Sequence, residues 1–254
     1  MTARLGKSSS PDPWLVAAAD IGEARTVTRR LLLIEDDAQV RSALALVLSD
    51  EGWGVDEAVD GEQGLQMVST CADYDAVLLD LRLPGVDGFE VCRRIRRTSD
   101  VPIVMVTAMQ DSHDVVAGLE AGADDYVTKP LSAKVLVARL RALLRRAGGR
   151  DGAEPRPIVD DDLEIQFDTA TVLRNGTRVD LTRTELKLLA ELARAGGRVL
   201  SREELLERVW GYGYFGDSRL VDVHIRRLRM KVEAEPAAPR HVITVRGMGY
   251  RFGS

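Results

Sequence analysis

Five polar residues, Glu35, Asp36, Asp80, Thr107 and Lys129, close short hydrophobic runs that read LLLIED, DAVLLD, PIVMVT and DDYVTK. A hard divalent cation such as Mg2+ takes oxygen ligands in octahedral array and is usually held by one or two carboxylates, with water completing the shell. Glu35, Asp36 and Asp80 supply such a set if they converge, and a cation together with Lys129 offsets their mutual repulsion. A carboxylate oxygen attacks phosphorus readily when a metal neutralises the charge on the equatorial oxygens. Asp80, central among the five, is the expected nucleophile. Thr107 is expected to donate its hydroxyl to one phosphoryl oxygen, and Lys129 to set its ammonium against another. Acidic strand ends are often solvated loop starts, but five matched positions in order are poorly explained that way.

For these side chains to meet, the runs must be parallel strands ending at one edge of a sheet. The pattern predicts strands at 31–35, 54–59, 75–79, 102–106 and 124–128, alternating with helices at 38–50, 61–71, 87–97, 111–121 and 132–146. That alternation calls for an α/β fold, a five-stranded doubly wound parallel sheet whose crevice lies outside the carboxyl ends of the strands.

The 254 residues, 45% hydrophobic and 30% charged, suffice for two domains with separate cores. The net charge of -5 is unevenly divided: residues 30–147 carry 13 basic against 20 acidic side chains, residues 158–254 carry 16 against 15. Different partners are expected for the two halves. Cys71 and Cys92 lack the spacing of a metal knuckle or redox pair and read as inert thiols. No stretch approaches the roughly 20 apolar residues of a membrane span, so a cytoplasmic protein without membrane association is expected. Residues 1–29 read as a mobile tail, and an alternative start at Val27 would remove most of it.

Residues 148–157 carry Gly, Pro and charge and read as a linker. Beyond them, strand signals at 163–167, 171–174 and 178–181 surround the turn pair Asn175-Gly176. Thr182 with Glu185, and Ser201 with Glu204, form capping boxes that start two helices. A third helix, about 218–233, places Val221, Ile225, Leu228 and Val232 on a core stripe and turns Val223, Arg226, Arg227 and Met230 outward. The segment SRLVDVHIRRLRMK holds five basic residues against Asp222 alone. A hairpin at 242–245 and 250–252 ends the chain, giving a winged helix-turn-helix α+β domain over 158–254. An Arg-rich helix is commonly just a solvated face; its place before a basic hairpin favours the major groove, where the arginine fork pairs with guanine or phosphate.

The motifs LLLIEDD, VLLDLRLPGVDG, PIVMVTA and DDYVTKP resemble the receiver domain of two-component response regulators, over Leu31 to about Arg146 and within a receiver unit of 30–147. VDVHIRRLR and TVRGMGYRF resemble the effector domain of the OmpR/PhoB subfamily, over about 160–252. The resemblance implies that Asp80 accepts phosphoryl from a sensor histidine kinase and that Glu35, Asp36, Asp80 and the backbone carbonyl of Arg82 hold Mg2+. It makes Tyr126 an aromatic switch coupled to Thr107. It implies that Val223 and Arg227 meet base edges of promoter DNA, that Trp210, Arg219, His224, Arg226, Arg229 and Tyr250 meet its backbone, that Thr244 holds phosphate, and that Arg246 enters the minor groove. The loop GYGYFGD after Trp210 corresponds to one that can touch RNA polymerase, although aromatics plugging a core edge explain it about as well. The positions of Arg82 and Met109 vary across such domains, and Arg82 reads either as shielding the acyl phosphate from attacking water or, the more common case, as extending into solvent.

Subfamily members pair through helix 111–121, strand 124–128 and helix 132–146 when phosphorylated. Carried over, Asp125 would pair with Arg139 and Asp124 with Arg141 across a homodimer bound to tandem sites. A further family ion pair is replaced by Val115 and Val135, an apolar contact. The expected function is a phosphorylation-activated transcriptional regulator rather than an enzyme. An aspartyl-phosphate hydrolase also uses an aspartate nucleophile and Mg2+, but would carry a second aspartate where this chain has Arg82. A vestigial receiver is disfavoured by the complete set of pocket residues.

Overall fold

The computed structural model describes residues 29–71, 73–107, 112–130, 132–144, 157–211 and 218–253. Residues 1–28 of the expected tail, Met109, most of the 148–157 segment and the YGYFGD stretch of the loop after Trp210 lie outside the described residues.

The first half alternates β1 (Arg30–Ile34), α1 (Ala38–Asp50), β2 (Gly54–Ala58), α2 (Gly61–Thr70), β3 (Ala76–Asp80), α3 (Gly88–Arg96), β4 (Ile103–Thr107), α4 (Ser112–Ala121), β5 (Asp125–Thr128) and α5 (Ala133–Leu144). All four pairings are parallel, in the order β2-β1-β3-β4-β5. Strand order reverses between β1 and β3, which opens a crevice at their carboxyl ends. β3 and β4 are buried along their whole length, as a sheet covered by helices on both faces requires. Asp37, Asp60 and Asp87 cap α1, α2 and α3, each accepting from backbone N–H groups of the first turn. β3 runs one residue further than its apolar run suggests, so Asp80 is the last residue of the strand.

The second half starts with an antiparallel sheet of β6 (Ile158–Asp160), β7 (Leu163–Gln166), β8 (Thr171–Arg174) and β9 (Thr177–Arg178). β6 has no counterpart among the expected strands, and β9 ends before the expected 178–181 run is complete. α6 (Arg183–Arg194) and α7 (Arg202–Trp210) start with the capping boxes of Thr182 and Ser201. α8 (Arg219–Val232) buries Val221, Ile225, Leu228 and Val232, the expected stripe. β10 (Val242–Val245) and β11 (Gly249–Phe252) form the hairpin, and Leu200 bridges to Tyr250. That bridge demands glycine at 249, where φ is +144° and a Cβ would lie 2.0 Å from the Leu200 carbonyl oxygen.

Candidate functional site

The carboxyl ends of β1, β3, β4 and β5 bring the five residues singled out by type to one edge of the sheet. Glu35, Asp80 and Thr107 are almost wholly buried, whereas Asp36 is exposed. Oxygens of Glu35, Asp36 and Asp80 lie within 4.8 Å of one another. Lys129 arrives because its backbone N–H donates to the Thr107 carbonyl at 2.6 Å, extending the β4–β5 ladder. Its Nζ then donates to Asp80 Oδ2 at 2.8 Å and to Glu35 Oε2 at 2.9 Å. Burial raises the Glu35 carboxyl above its usual range; the hydrogen bond from Lys129 opposes this and the Asp80 charge reinforces it. Burial also works against the Lys129 ammonium, but its bonds to Asp80 and Glu35 prevail and raise its pKa.

The acceptor end of β3 is rigidly seated. A Cβ on Gly88 would lie 2.3 Å from the Asp80 carbonyl oxygen, so only glycine lets α3 start this close to the strand. The Arg82 N–H donates to Asp80 Oδ1 at 3.3 Å, while the Arg82 side chain is exposed. Glu35 Oε1 is buried with no hydrogen-bond partner. An orphaned carboxylate oxygen beside two further carboxylates is a donor set suited to a hard cation.

A second constellation joins the two halves. α8 packs on α4, and α7 on α5. Both the Trp210 Nε1–H, at 3.0 Å, and His224 Nε2, at 3.1 Å, address the main-chain oxygen of Asp124. The two rings sit 5.2 Å apart. Arg227 Nη1 donates to the carbonyls of Ala123 at 2.9 Å and Leu119 at 3.4 Å, and Arg226 pairs with Glu120. Burial pushes the His224 imidazole down to about 4, with Arg227 adding to the shift. The ring is therefore neutral near pH 7 and donates through Nε2, which leaves Nδ1 buried without a partner.

These contacts correct the expected outward face of α8. Met230 and Arg226 are exposed as expected, but Val223 is 8% exposed, His224 0% and the Arg227 side chain 16%, where α8 packs on α4 and His224 and Arg227 reach main-chain oxygens of the first half. Trp210, expected at a phosphate, is 3% exposed. The helical wheel of α8 registers one apolar stripe and is silent about a second surface contributed by another domain. Away from the seam, Arg229 donates to the Val242 carbonyl and to Thr244 Oγ1, tying α8 to the hairpin. The Tyr250 hydroxyl donates to Asp222 Oδ1 at 2.6 Å. Arg219, Thr244 and Arg246 are exposed.

The acidic residues carried over to an intersubunit role are engaged within the single chain. Asp125, fully buried, pairs with its own Arg139 at 3.2 Å. Asp124 pairs not with Arg141 but with Arg96, and Arg141 pairs with Glu51 at 2.7 Å. Burial opposes ionisation of Asp124, but Arg96 together with hydrogen bonds from the Ile103 N–H and Thr184 outweighs it and holds the carboxyl below the usual carboxylate range. Val115 is buried, Val135 is 44% exposed and Tyr126 is half-buried. Arg96, which also donates to Gly122 and Val101 carbonyls, was not expected in any role. Its only sequence signal is an arginine in the last turn of an amphipathic helix.

Residues 31–141 match the response regulator receiver domain model, and residues 176–252 match the model for the C-terminal domain of transcriptional regulatory proteins. The chain belongs to the OmpR/PhoB subfamily of response regulators. Among curated relatives, the transcriptional regulatory protein AfsQ1 of Streptomyces coelicolor is 52% identical over 87% of this chain and 97% of its own length. The DNA-binding response regulator MtrA of Mycobacterium tuberculosis is 48% identical over 90% of this chain and 98% of its own. Among solved structures, a mutant of RitR superposes with a TM-score of 0.72 at 31% identity, covering 89% of this chain and 99% of that one. The first half is thus a receiver, the second a DNA-binding effector, and no helix among the described residues is long and apolar enough to cross a membrane.

Proposed function

We propose that this response regulator is a cytoplasmic transcription factor of a two-component system, kept closed by its own receiver until Asp80 is phosphorylated. The observation that carries this reading is the engagement of His224 and Arg227 with α4 and the α4–β5 turn, on the helix where Val223 is also buried. A DNA-reading face in that position is unavailable to the major groove.

The chemistry follows from the pocket. An Asp80 oxygen attacks phosphorus of a kinase phosphohistidine, the P–N bond breaks, and the imidazole leaves as an acyl phosphate forms. Mg2+ held by Glu35, Asp36, Asp80 and the Arg82 carbonyl would supply charge neutralisation on the transferring oxygens. Lys129, now bonded to Asp80, is within reach of a phosphoryl oxygen on the same carboxylate, and Thr107 stands on the adjacent strand end. Movement of Thr107 towards the phosphoryl group and of Tyr126 into the vacated space would disturb β5 and its flanking turn, where the effector docks.

Docking and dimerisation draw on one face. Asp124, Asp125, Arg139 and Arg141 on β5 and α5, with Val115 and Val135, are the proposed homodimer surface. The effector covers the Asp124 end of it, so the closed monomer and the active dimer exclude one another. Released effectors would reach tandem sites about 10 bp apart through Arg219, Arg226, Arg229, Thr244, Arg246 and Tyr250 on the backbone, with Val223 and Arg227 on base edges. RNA polymerase is the proposed partner of the loop after Trp210.

Acetyl phosphate with Mg2+ provides the test. One stable phosphoryl group on Asp80, accompanied by dimerisation and tighter promoter binding, is expected, and Asp80→Asn should show none of the three. Multiple turnover of acetyl phosphate, or DNA affinity indifferent to phosphorylation, overturns the reading.

A further inference from the structure

Glu185 has no part in the phosphorylation pocket and no expected role beyond the capping box of α6. It is nevertheless fully buried and faces the cations of α8. Its Oε2 accepts from the Thr182 N–H at 2.9 Å and from Lys231 Nζ at 2.7 Å. Those two bonds fix the carboxylate on the first turn of α6. Oε1 then lies 3.2 Å from Arg227 Nη2, without an aligned hydrogen bond.

The Arg227 guanidinium is thereby divided. Nη1 addresses receiver carbonyls, which depart when the domains separate, whereas Nη2 addresses Glu185, which belongs to the same domain and remains. Burial opposes the charge of Glu185, but Arg227 and Lys231 overcome it and hold the carboxyl below its usual range, so it is ionised in the closed state. An arginine reads a guanine edge through a planar fork, and the fork discriminates only if its plane is held. A long side chain otherwise loses much of that benefit to its own rotamer freedom.

We propose that Glu185 is a positioning residue whose ion pair restrains the Arg227 guanidinium on α8, so that the opened effector discriminates base sequence instead of merely attracting phosphate. The proposal rests on the reading of Arg227 as a base-edge contact.

The test uses the full chain loaded with beryllofluoride and Mg2+, and a DNA site which that protein selects from a random pool. Affinity for this site is compared with affinity for a scrambled duplex in wild type, Glu185→Gln, Arg227→Ala and the double variant. Both duplexes need the open protein, so the docking equilibrium cancels from the ratio of affinities. Glu185→Gln should lower that ratio about tenfold, and leave the salt dependence on scrambled DNA unchanged, because no phosphate contact is lost. The double variant should discriminate no worse than Arg227→Ala alone. Should Glu185→Gln fail to fold, Glu185→Asp keeps the charge near Thr182 but shortens its reach to Arg227, and the same loss of ratio is expected. A ratio within twofold of wild type in a folded Glu185 variant, with Arg227→Ala strongly reduced, overturns the role of Glu185 alone. An unchanged ratio in Arg227→Ala, or failure to select any site, overturns the base-reading assignment and this inference with it.

Discussion

Two buried histidines in the effector domain are driven in opposite directions. His224 faces the receiver across the seam, and burial brings it down to about 4. His241 lies within its own domain, its two ring nitrogens 2.9 Å from Asp160 Oδ2 and 2.8 Å from Asp162 Oδ1. There burial also opposes the charged form, but the carboxylates prevail and the pKa rises. At the seam a neutral ring meets a peptide dipole; within the effector the ring sits between two carboxylates that favour its charged form. Stripping a buried ion of its partner would be far costlier than releasing a neutral donor to water.

The largest effect is expected at the contact within the effector. His241→Ala takes the bridging ring from between Asp160 and Asp162, leaving Asp162 to Arg174 alone at 3.0 Å, and should destabilise the effector by about 2 kcal/mol, discounted for the partial exposure of both carboxylates. A lowered thermal midpoint of the effector transition checks it, and an unchanged one breaks the contrast.

Acidification separates the two sites by sign. The folded pKa of His224 lies below its unperturbed 6.5, so its contribution to closure is complete above that value and drains away as pH falls towards about 4. From pH 7 to 5 the closed state should weaken about twentyfold in the unphosphorylated protein, read as interdomain energy transfer between dyes on α4 and the hairpin. The groups facing this ring are Trp210, Arg227, Asp124 and Glu185, and the two carboxyls have lowered pKa values, so both keep their charge over that range. His224→Asn should flatten the profile. His241 has a raised pKa, so its contribution is complete below 6.5 and is lost only as pH rises through the folded value; the effector itself should hold together through the same acid range.

Trp210→Phe deletes one of the two donors to the Asp124 oxygen and should weaken closure by about 1 kcal/mol, seen as higher DNA affinity without phosphorylation. The smallest effect is expected from Arg226→Ala. Its pair with Glu120 is 73% and 45% exposed, so closure should change by less than about 1 kcal/mol, and only at low salt.

The pocket was legible because each of its residues ends a hydrophobic run, and strand ends in a parallel sheet share one edge. The effector helices were legible from the capping boxes at Thr182 and Ser201. β6 was not, because three residues give no periodicity, and its pairing to β7 is set by tertiary contacts. The fate of Val223 and His224 was hidden for a different reason: amphipathic patterning reports burial against one core and carries no record of a covering surface a hundred residues away. The role of Arg96 is hidden likewise, since its partner Asp124 is 28 residues distant and nothing local marks the pair.

The oxygen that Trp210 and His224 share belongs to a peptide bond, and every amino acid at position 124 would present the same atom. Spontaneous mutants that escape the need for a signal should therefore be distributed unevenly. Lesions that erase the latch directly can arise in the effector at 210 and 224, whereas on the receiver side the turn must be bent out of shape to achieve as much. Lineages that retune the threshold of this switch would be expected to write their changes into the output half of the gene.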